Sequence, residues 1–174
     1  MRILGLDIST STIGVSIVND NGDMELCQAW DLRPYKDLYS KADVVKNNLQ
    51  QLISVDEIWI EKPLERLIQG RSSIKTILLL AKFNAIVSYL CKDIFKIEPE
   101  FIAAPSARKK ANISVPRGEN TKEFVLKYLL DNELNFKIEY TRHGNPKHGS
   151  YDKADSLVVA RAGLSLWKEK SSKS

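Results

Sequence analysis

The chain has 174 residues, of which 43% are hydrophobic and 28% charged, with a net charge of +4. That length holds one ordinary domain with a core that needs no disulfides, and the composition excludes a disordered or fibrous chain. No continuous apolar run approaches the ~20 residues that cross a bilayer, and the mild basic excess suits a nucleic-acid partner without requiring one.

Taken in chain order, Arg2 to Ile8 reads as an apolar strand and Ser9-Thr10-Ser11-Thr12 as a turn. Ile13, Val15 and Ile17 alternate with Gly14, Ser16 and Val18, the period of two expected of a strand. Asp20-Asn21-Gly22 is a hairpin signal, because Asn-Gly accepts the positive φ of tight turns. Met24 to Asp31 returns as a third strand.

The period then becomes helical, with Ala42, Val45, Leu49 and Leu52 forming one apolar face. Glu57 to Glu61 is a short buried strand stopped by Pro63. Ser73 to Lys92 is a long helix whose Ile74, Ile77, Leu78, Ala81 and Ala85 wrap much of its circumference, the pattern of a deeply buried helix. Glu100 to Ala104 is another short strand, followed by a basic loop. Asn120 with Glu123 marks a capped helix start leading into Phe124 to Leu130. The last helix begins near Ser150 and runs to about Trp167, leaving residues 168–174 as a polar tail. The order β-β-β-α-β-α-β-α-α predicts an α/β fold in a single domain, 1–167. Its sheet is mixed and five-stranded, three antiparallel strands then two parallel, with helices on both faces.

Cys27 and Cys91 stand far apart in apolar surroundings, and neither has a CxxC partner. A disulfide framework or zinc ribbon is not expected. Met1-Arg2-Ile3-Leu4-Gly5 carries no secretory-signal layout. A reducing, cytoplasmic setting is therefore expected, in a bacterium or an infected host cell.

Three places carry acids where acids are costly. Asp7 sits inside the apolar strand Ile3-Leu4-Gly5-Leu6-Asp7-Ile8, where an unpaired charge needs compensation. Pairing with Arg2 or another basic side chain is the purely structural alternative. Glu61 closes Ile58-Trp59-Ile60 at the strand's carboxyl end, where ligand and catalytic groups collect in α/β sheets. Asp152 and Asp155, three apart, share one face of the last helix. Acids in a first helical turn are also explained by the helix dipole alone. The combination is more specific than its parts. If the first and fourth strands are neighbours, all four carboxylates converge and repel one another unless cations neutralise them. Hard oxygen donors with room for water suit Mg2+ or Mn2+. Two such ions ~4 Å apart would make a phosphodiester-cleaving site.

Leu4-Gly5-Leu6-Asp7 with its following hairpin resembles the opening of the RuvC-type Holliday junction resolvases of the RNase H-like superfamily. Trp59-Ile60-Glu61-Lys62 is similar to their second acidic motif, and Asp152-Lys153-Ala154-Asp155-Ser156-Leu157 to their last. The layout from Ser72 to Leu130 also follows the family, so the resemblance covers nearly the whole chain. It implies an RNase H-like fold with Asp7, Glu61, Asp152 and Asp155 as catalytic and metal-binding acids. It further implies a homodimer that uses two Mg2+ per site to cut four-way or branched DNA, leaving 5′-phosphate and 3′-hydroxyl ends. The length and divergence suit a phage or viral member. Two departures stand out. Ile8-Ser9 replaces the Pro-Gly after the first acid, and Leu64 stands where an aromatic often follows the second.

Arg108, Lys109, Lys110, Arg117 and Lys122 face only one acid, Glu119, in their segment, a local excess equal to the whole chain's net charge of +4. They are the candidate DNA contacts, with a solvated charge run as the alternative. His143 and His148 flank a Gly/Pro/Lys-rich loop before Asp152; surface positions are expected for them, with assistance to the water or the leaving group by one of them as the alternative. Two other readings compete. Gly5-Leu6-Asp7-Ile8-Ser9-Thr10-Ser11 also resembles the phosphate-binding opening of sugar kinases and actin-like ATPases, which need two such domains where this chain has room for one. A DNA-binding module with a decayed site is the other, and the presence of all four acids argues against it.

Overall fold

The computed structural model describes residues 1–63 and 73–172. The strands are β1 (Arg2–Ile8), β2 (Thr12–Asn19), β3 (Met24–Asp31), β4 (Glu57–Glu61) and β5 (Glu100–Ile102). The helices are α1 (Leu38–Gln50), α2 (Ile74–Phe95), α3 (Ala104–Lys110), α4 (Thr121–Asn132) and α5 (Ser150–Ser171). The sheet order is β3-β2-β1-β4-β5, with β1, β2 and β3 antiparallel and β4 and β5 continuing parallel from β1. The mixed sheet expected from the sequence is thus present. Gly22, at φ +94°, makes the β2–β3 turn that Asn21-Gly22 announced.

Strand alternation sorts the sheet into two faces. Leu4, Leu6, Ile8, Ile13, Val15, Ile17, Ile58 and Ile60 join Val45, Leu49, Phe83 and Val87 in one core beneath α1 and α2. Ile3, Val18 and Trp59 join Leu157, Val159 and Ala160 in the other, beneath α5. Asp7 and Glu61 keep phase with Ile3 and Trp59, so both carboxylates emerge on the α5 face. That face is closely packed. A Cβ on Gly5 would lie 2.4 Å from the Ala160 nitrogen, and one on Gly14 would lie 1.9 Å from the Asp152 carbonyl oxygen. The buried hydroxyls of Ser16 and Ser156 bond at 2.8 Å across the same seam.

Four expectations are corrected. Strand β5 stops at Ile102, and the segment that reads as a basic loop begins as α3, with Pro105 in its first turn. Proline suits that position because its missing N–H would be unpaired there anyway. Arg108, Lys109 and Lys110 fill the last turn of α3, where the helix dipole favours positive charge. Helix α5 continues to Ser171 rather than stopping near Trp167, so most of the polar tail is helical. Its end is held by an ion pair of 2.6 Å from Lys110 to Glu169 and by Lys170 over the Trp59 ring at 5.6 Å. Helix α2 is not buried on all sides. Phe83, Val87 and Cys91 are buried, whereas Ile74 and Leu78 are 63% and 56% exposed. By length and composition α2 could also cross a bilayer, a possibility that its interrupting lysines hide from a search for unbroken apolar runs.

Candidate active site

The site grows from the register of β1 and β4. Leu6 pairs with Ile60 in a parallel ladder, so Asp7 and Glu61 are adjacent at the carboxyl ends of neighbouring strands. Both stand on the face that α5 covers. Gly149, at φ +86°, starts α5, and its missing side chain lets the turn lie against Ala29. Gly14 then lets the first turn of α5 rest directly on β2, which sets the Asp152 backbone in place. One turn further, Asp155 faces the two strand acids. Asp7, Glu61 and Asp155 line a cleft of about 810 Å³ together with Ala104, Arg108 and residues 118–122. Asp152 does not line it, but its charge acts on Asp7 and Asp155.

The electrostatics follow from crowding and burial. Desolvation holds the Asp7 carboxyl well above its ordinary range, and the charges of Glu61, Asp155 and Asp152 push it further. Glu61 is raised to about 7, first by burial and then by Asp155. Asp155 is raised by burial, with Asp152 adding to the effect. Lys122 and Arg108 act in the opposite direction on both Glu61 and Asp155. A half-buried set of mutually repelling carboxylates has little structural use and is the environment a cation relieves.

The donor set fits small hard cations in an open site. Among the described residues, no three acidic, histidine or cysteine side chains form a closed ligand group. Mg2+ rarely needs one, since it is held by one or two carboxylates and completes its shell with water and substrate phosphate. Asp7, Glu61 and Asp155 are placed for that, and Asp152 borders them. One consequence is measurable. Burial and the charge of Asp155 raise Glu61 from the ordinary glutamate value of 4.5, which the unfolded chain restores, to about 7 in the fold. Its contribution to stability is therefore full below the lower value and is lost as pH rises through the upper one. Metal-free protein should melt at a lower temperature at pH 8 than at pH 5.5, and Glu61→Gln should shrink that difference. Millimolar Mg2+ should recover the loss at pH 8 by binding only the folded chain. Melting curves that respond neither to pH nor to Mg2+ would contradict the crowded-carboxylate site.

The five basic candidates separate. Arg108 and Lys122 reach the cleft and its acids. Lys109 lies in the adjoining hollow of about 540 Å³, which it shares with Arg108, Asn112 and Ile113. Lys110 points elsewhere, into its pair with Glu169. Arg117 is exposed beside Gly118 at the rim. Lys122 owes its position to the Asn120 side chain, which caps α4 by accepting the Lys122 N–H at 3.1 Å. Neither histidine lines the cleft. His148 Nε2 bonds the Thr12 hydroxyl at 2.6 Å, and His143 Nε2 accepts from Arg142 at 3.0 Å. The departure at Leu64 lies outside the described residues. Gly5 and Gly14, which sequence reasoning passed over, prove to seat α5. Their signal was available, because a glycine inside a strand often marks a close backbone approach.

By sequence, the chain matches no family model and no curated protein. By structure it is similar to Thermus thermophilus RuvC in complex with a Holliday junction substrate, with a TM-score of 0.67 at 8% identity over 97% of this chain and 96% of that one. A second T. thermophilus RuvC structure gives 0.67 at 10% identity, covering 98% and 97%. The yeast mitochondrial Holliday junction resolvase Ydc2 gives 0.65 at 16% identity, covering 98% and 80%. In sheet order, two-sided helix packing and near-complete overlap, this chain has the RNase H-like fold of RuvC.

Proposed function

We propose that this protein is a divalent-metal-dependent endodeoxyribonuclease that resolves four-way DNA junctions. The observation that carries the reading is the convergence of Asp7, Glu61 and Asp155 in one cleft that Arg108 and Lys122 also line. A phosphodiester is an anion that acids alone would repel. The combination of acids for cations and cations for phosphate suits its hydrolysis. Divalent ions, when bound, supply charge neutralisation at the phosphoryl group and activation of the attacking water. Asp7, which feels the charges of Glu61, Asp155 and Asp152, would hold such ions together with these neighbours. Arg108 and Lys122 hold the flanking phosphates and fix the strand in register without reading bases. Hydrolysis in this sense leaves a 5′-phosphate and a 3′-hydroxyl.

The deciding experiment is a substrate panel in Mg2+: a four-way junction, a flap, a linear duplex and an RNA–DNA hybrid. Paired nicks near the crossover of the junction are expected, with the linear duplex spared. Ca2+ should support binding better than turnover, because its looser shell positions water poorly. Equal cutting of linear duplex, or cutting in excess chelator, would refute the reading. The basic wall has its own test. Arg108→Ala with Lys122→Ala should weaken junction binding at all sequences alike. It should also flatten the slope of log affinity against log salt by about 1–2, as each phosphate contact contributes roughly 0.9. An unchanged slope would place the DNA on another face.

Two symmetric nicks call for two sites in fixed relation, which a two-fold dimer supplies. The exposed Ile74, Leu78 and Leu79 on the N-terminal half of α2 are the surface for it. Sedimentation at micromolar concentration should give about twice the 19.7 kDa chain mass. Leu78→Glu with Leu79→Glu should give the monomer. A wild-type monomer, free and DNA-bound, would count against the dimer.

A further inference from the structure

The loop between β3 and α1 and the first turn of α1 carry exposed aromatics, Tyr35 and Tyr39, that neither the core nor the cleft uses. Tyr39 is 80% exposed and Tyr35 38%. Lys36 lies between them in sequence, exposed and without an ion pair among the described residues. The neighbouring Arg33 is already neutralised by Asp31, which it grips at 2.9 and 2.7 Å. The loop is well fixed. The Asp37 carboxylate accepts the Tyr39 and Ser40 N–H groups at 2.9 Å each and so caps α1. The Leu32 N–H bonds the Ser11 carbonyl at 2.9 Å, and the Lys41 ammonium donates to the Thr10 carbonyl. These last two contacts tie the loop to the turn that follows Asp7.

Topology gives its distance from the acids. Because β3 runs parallel to β1 with β2 between them, this loop leaves the same edge of the sheet as Asp7, Glu61 and the start of α3. Adjacent strands lie about 4.8 Å apart, so the end of β3 is roughly 10 Å from Asp7 on one side. The end of β5, where α3 and Arg108 begin, is about as far on the other. That end of the sheet therefore carries, in order, the start of α3 with Arg108, the acids, and the loop that holds Tyr35 and leads into Tyr39 at the start of α1. At the roughly 3.4 Å axial rise per nucleotide of a stacked strand, up to about three nucleotides span from Asp7 to the end of β3.

We propose that Tyr35 and Tyr39 form a stacking platform for an unpaired base of the strand that leaves the cleft past β1, with Lys36 on its phosphate. The inference rests on the nuclease reading above and adds where the strand exits and in what state. Stacking on aromatics is indifferent to base identity and requires a base freed from its neighbours. A branch point supplies such a base and a continuous duplex does not. The loop therefore selects for branched or unpaired substrate on the side of the cleft opposite Arg108.

The test is binding in Ca2+, with a four-way junction bearing 2-aminopurine two to four nucleotides from the crossover, against an unbranched duplex of the same sequence. Wild type should quench the probe in the junction. Tyr35→Ala with Tyr39→Ala should abolish the quenching and weaken junction binding about 10-fold or more, with duplex binding unchanged. Tyr35→Phe with Tyr39→Phe should retain both, because the ring stacks and the hydroxyl does not. Lys36→Ala should lower the salt slope by roughly 0.9. Both tyrosines are exposed, so melting temperatures should stay near wild type. An alanine double variant that binds and quenches like wild type overturns the platform and leaves the junction reading standing. Wild-type protein with no preference for junction over duplex overturns both.

Discussion

Replacing Asp7 by Asn should lower junction cleavage on the order of 10³-fold or more while leaving junction binding close to wild type. Asn has the same shape, so Leu6, Ile8 and the β1–β4 ladder are undisturbed. It lacks the charge that would hold cations in a position adjacent to Glu61 and within reach of the charges of Asp155 and Asp152. Arg108 and Lys122, proposed above to hold the phosphates, are untouched. The same substitution should raise the melting temperature of metal-free protein at pH 8, since it removes one of several half-buried, mutually repelling carboxylates. Loss of activity with a gain of stability is the signature of a functional acid, whereas a structural ion pair would lose both. Glu61→Gln and Asp155→Asn should behave alike, each with its Mg2+-dependent rise in melting temperature reduced. Full cleavage by the Asp7→Asn variant would dispose of the site.

The second large effect is steric. Gly14→Ala should destabilise the protein by about 3 kcal/mol or more and depress activity at least ~100-fold. The added Cβ would sit 1.9 Å from the Asp152 carbonyl oxygen and 2.4 Å from its carbonyl carbon. Those are backbone atoms, so no rotamer change relieves the overlap. The first turn of α5 must lift off β2. It then loses the 2.8 Å Ser16–Ser156 bond, and Asp152 and Asp155 leave their places beside Asp7 and Glu61. A displacement of about 1 Å at reacting groups is enough for a hundredfold loss. At 2–4 °C per kcal/mol for a domain this size, the melting temperature should fall by roughly 6–12 °C. Ser16→Ala serves as the comparison. It removes the hydrogen bond and adds no bulk, so it should cost about 1 kcal/mol and leave most activity. If Gly14→Ala melts and cleaves like wild type, the close seating of α5 does not position the acids.

Much of this architecture follows from one-dimensional pattern. Alternation in β1 and β2, the Asn21-Gly22 turn and the Asn120 cap are local, and short-range sterics and hydrogen bonds decide them. Alternation also assigns Asp7 to the face opposite Leu6 before any partner strand is known. What local pattern misread is equally physical. The apolar wrap of α2 is the same in sequence whether its residues meet a core or solvent, and only the packing that stops short of Ile74 and Leu78 distinguishes them. The helix at Ala104–Lys110 has too few residues to show a period, and its cationic last turn reads as loop until the helix dipole is drawn.

The sequence by itself determined the kinds of groups available: four acids in costly places, a cationic segment and glycines inside strands. Only the tertiary structure decided which of them meet. The β1–β4 register joins residues 7 and 61, and the Gly14 seat brings residues 152–155 of α5 to the same edge. The five candidate cations, equivalent in sequence, divide because helix α3 turns Arg108 toward the acids and Lys110 toward Glu169. Coulombic coupling falls with distance through space, and contacts between residues more than a hundred positions apart exist only once the chain has closed upon itself.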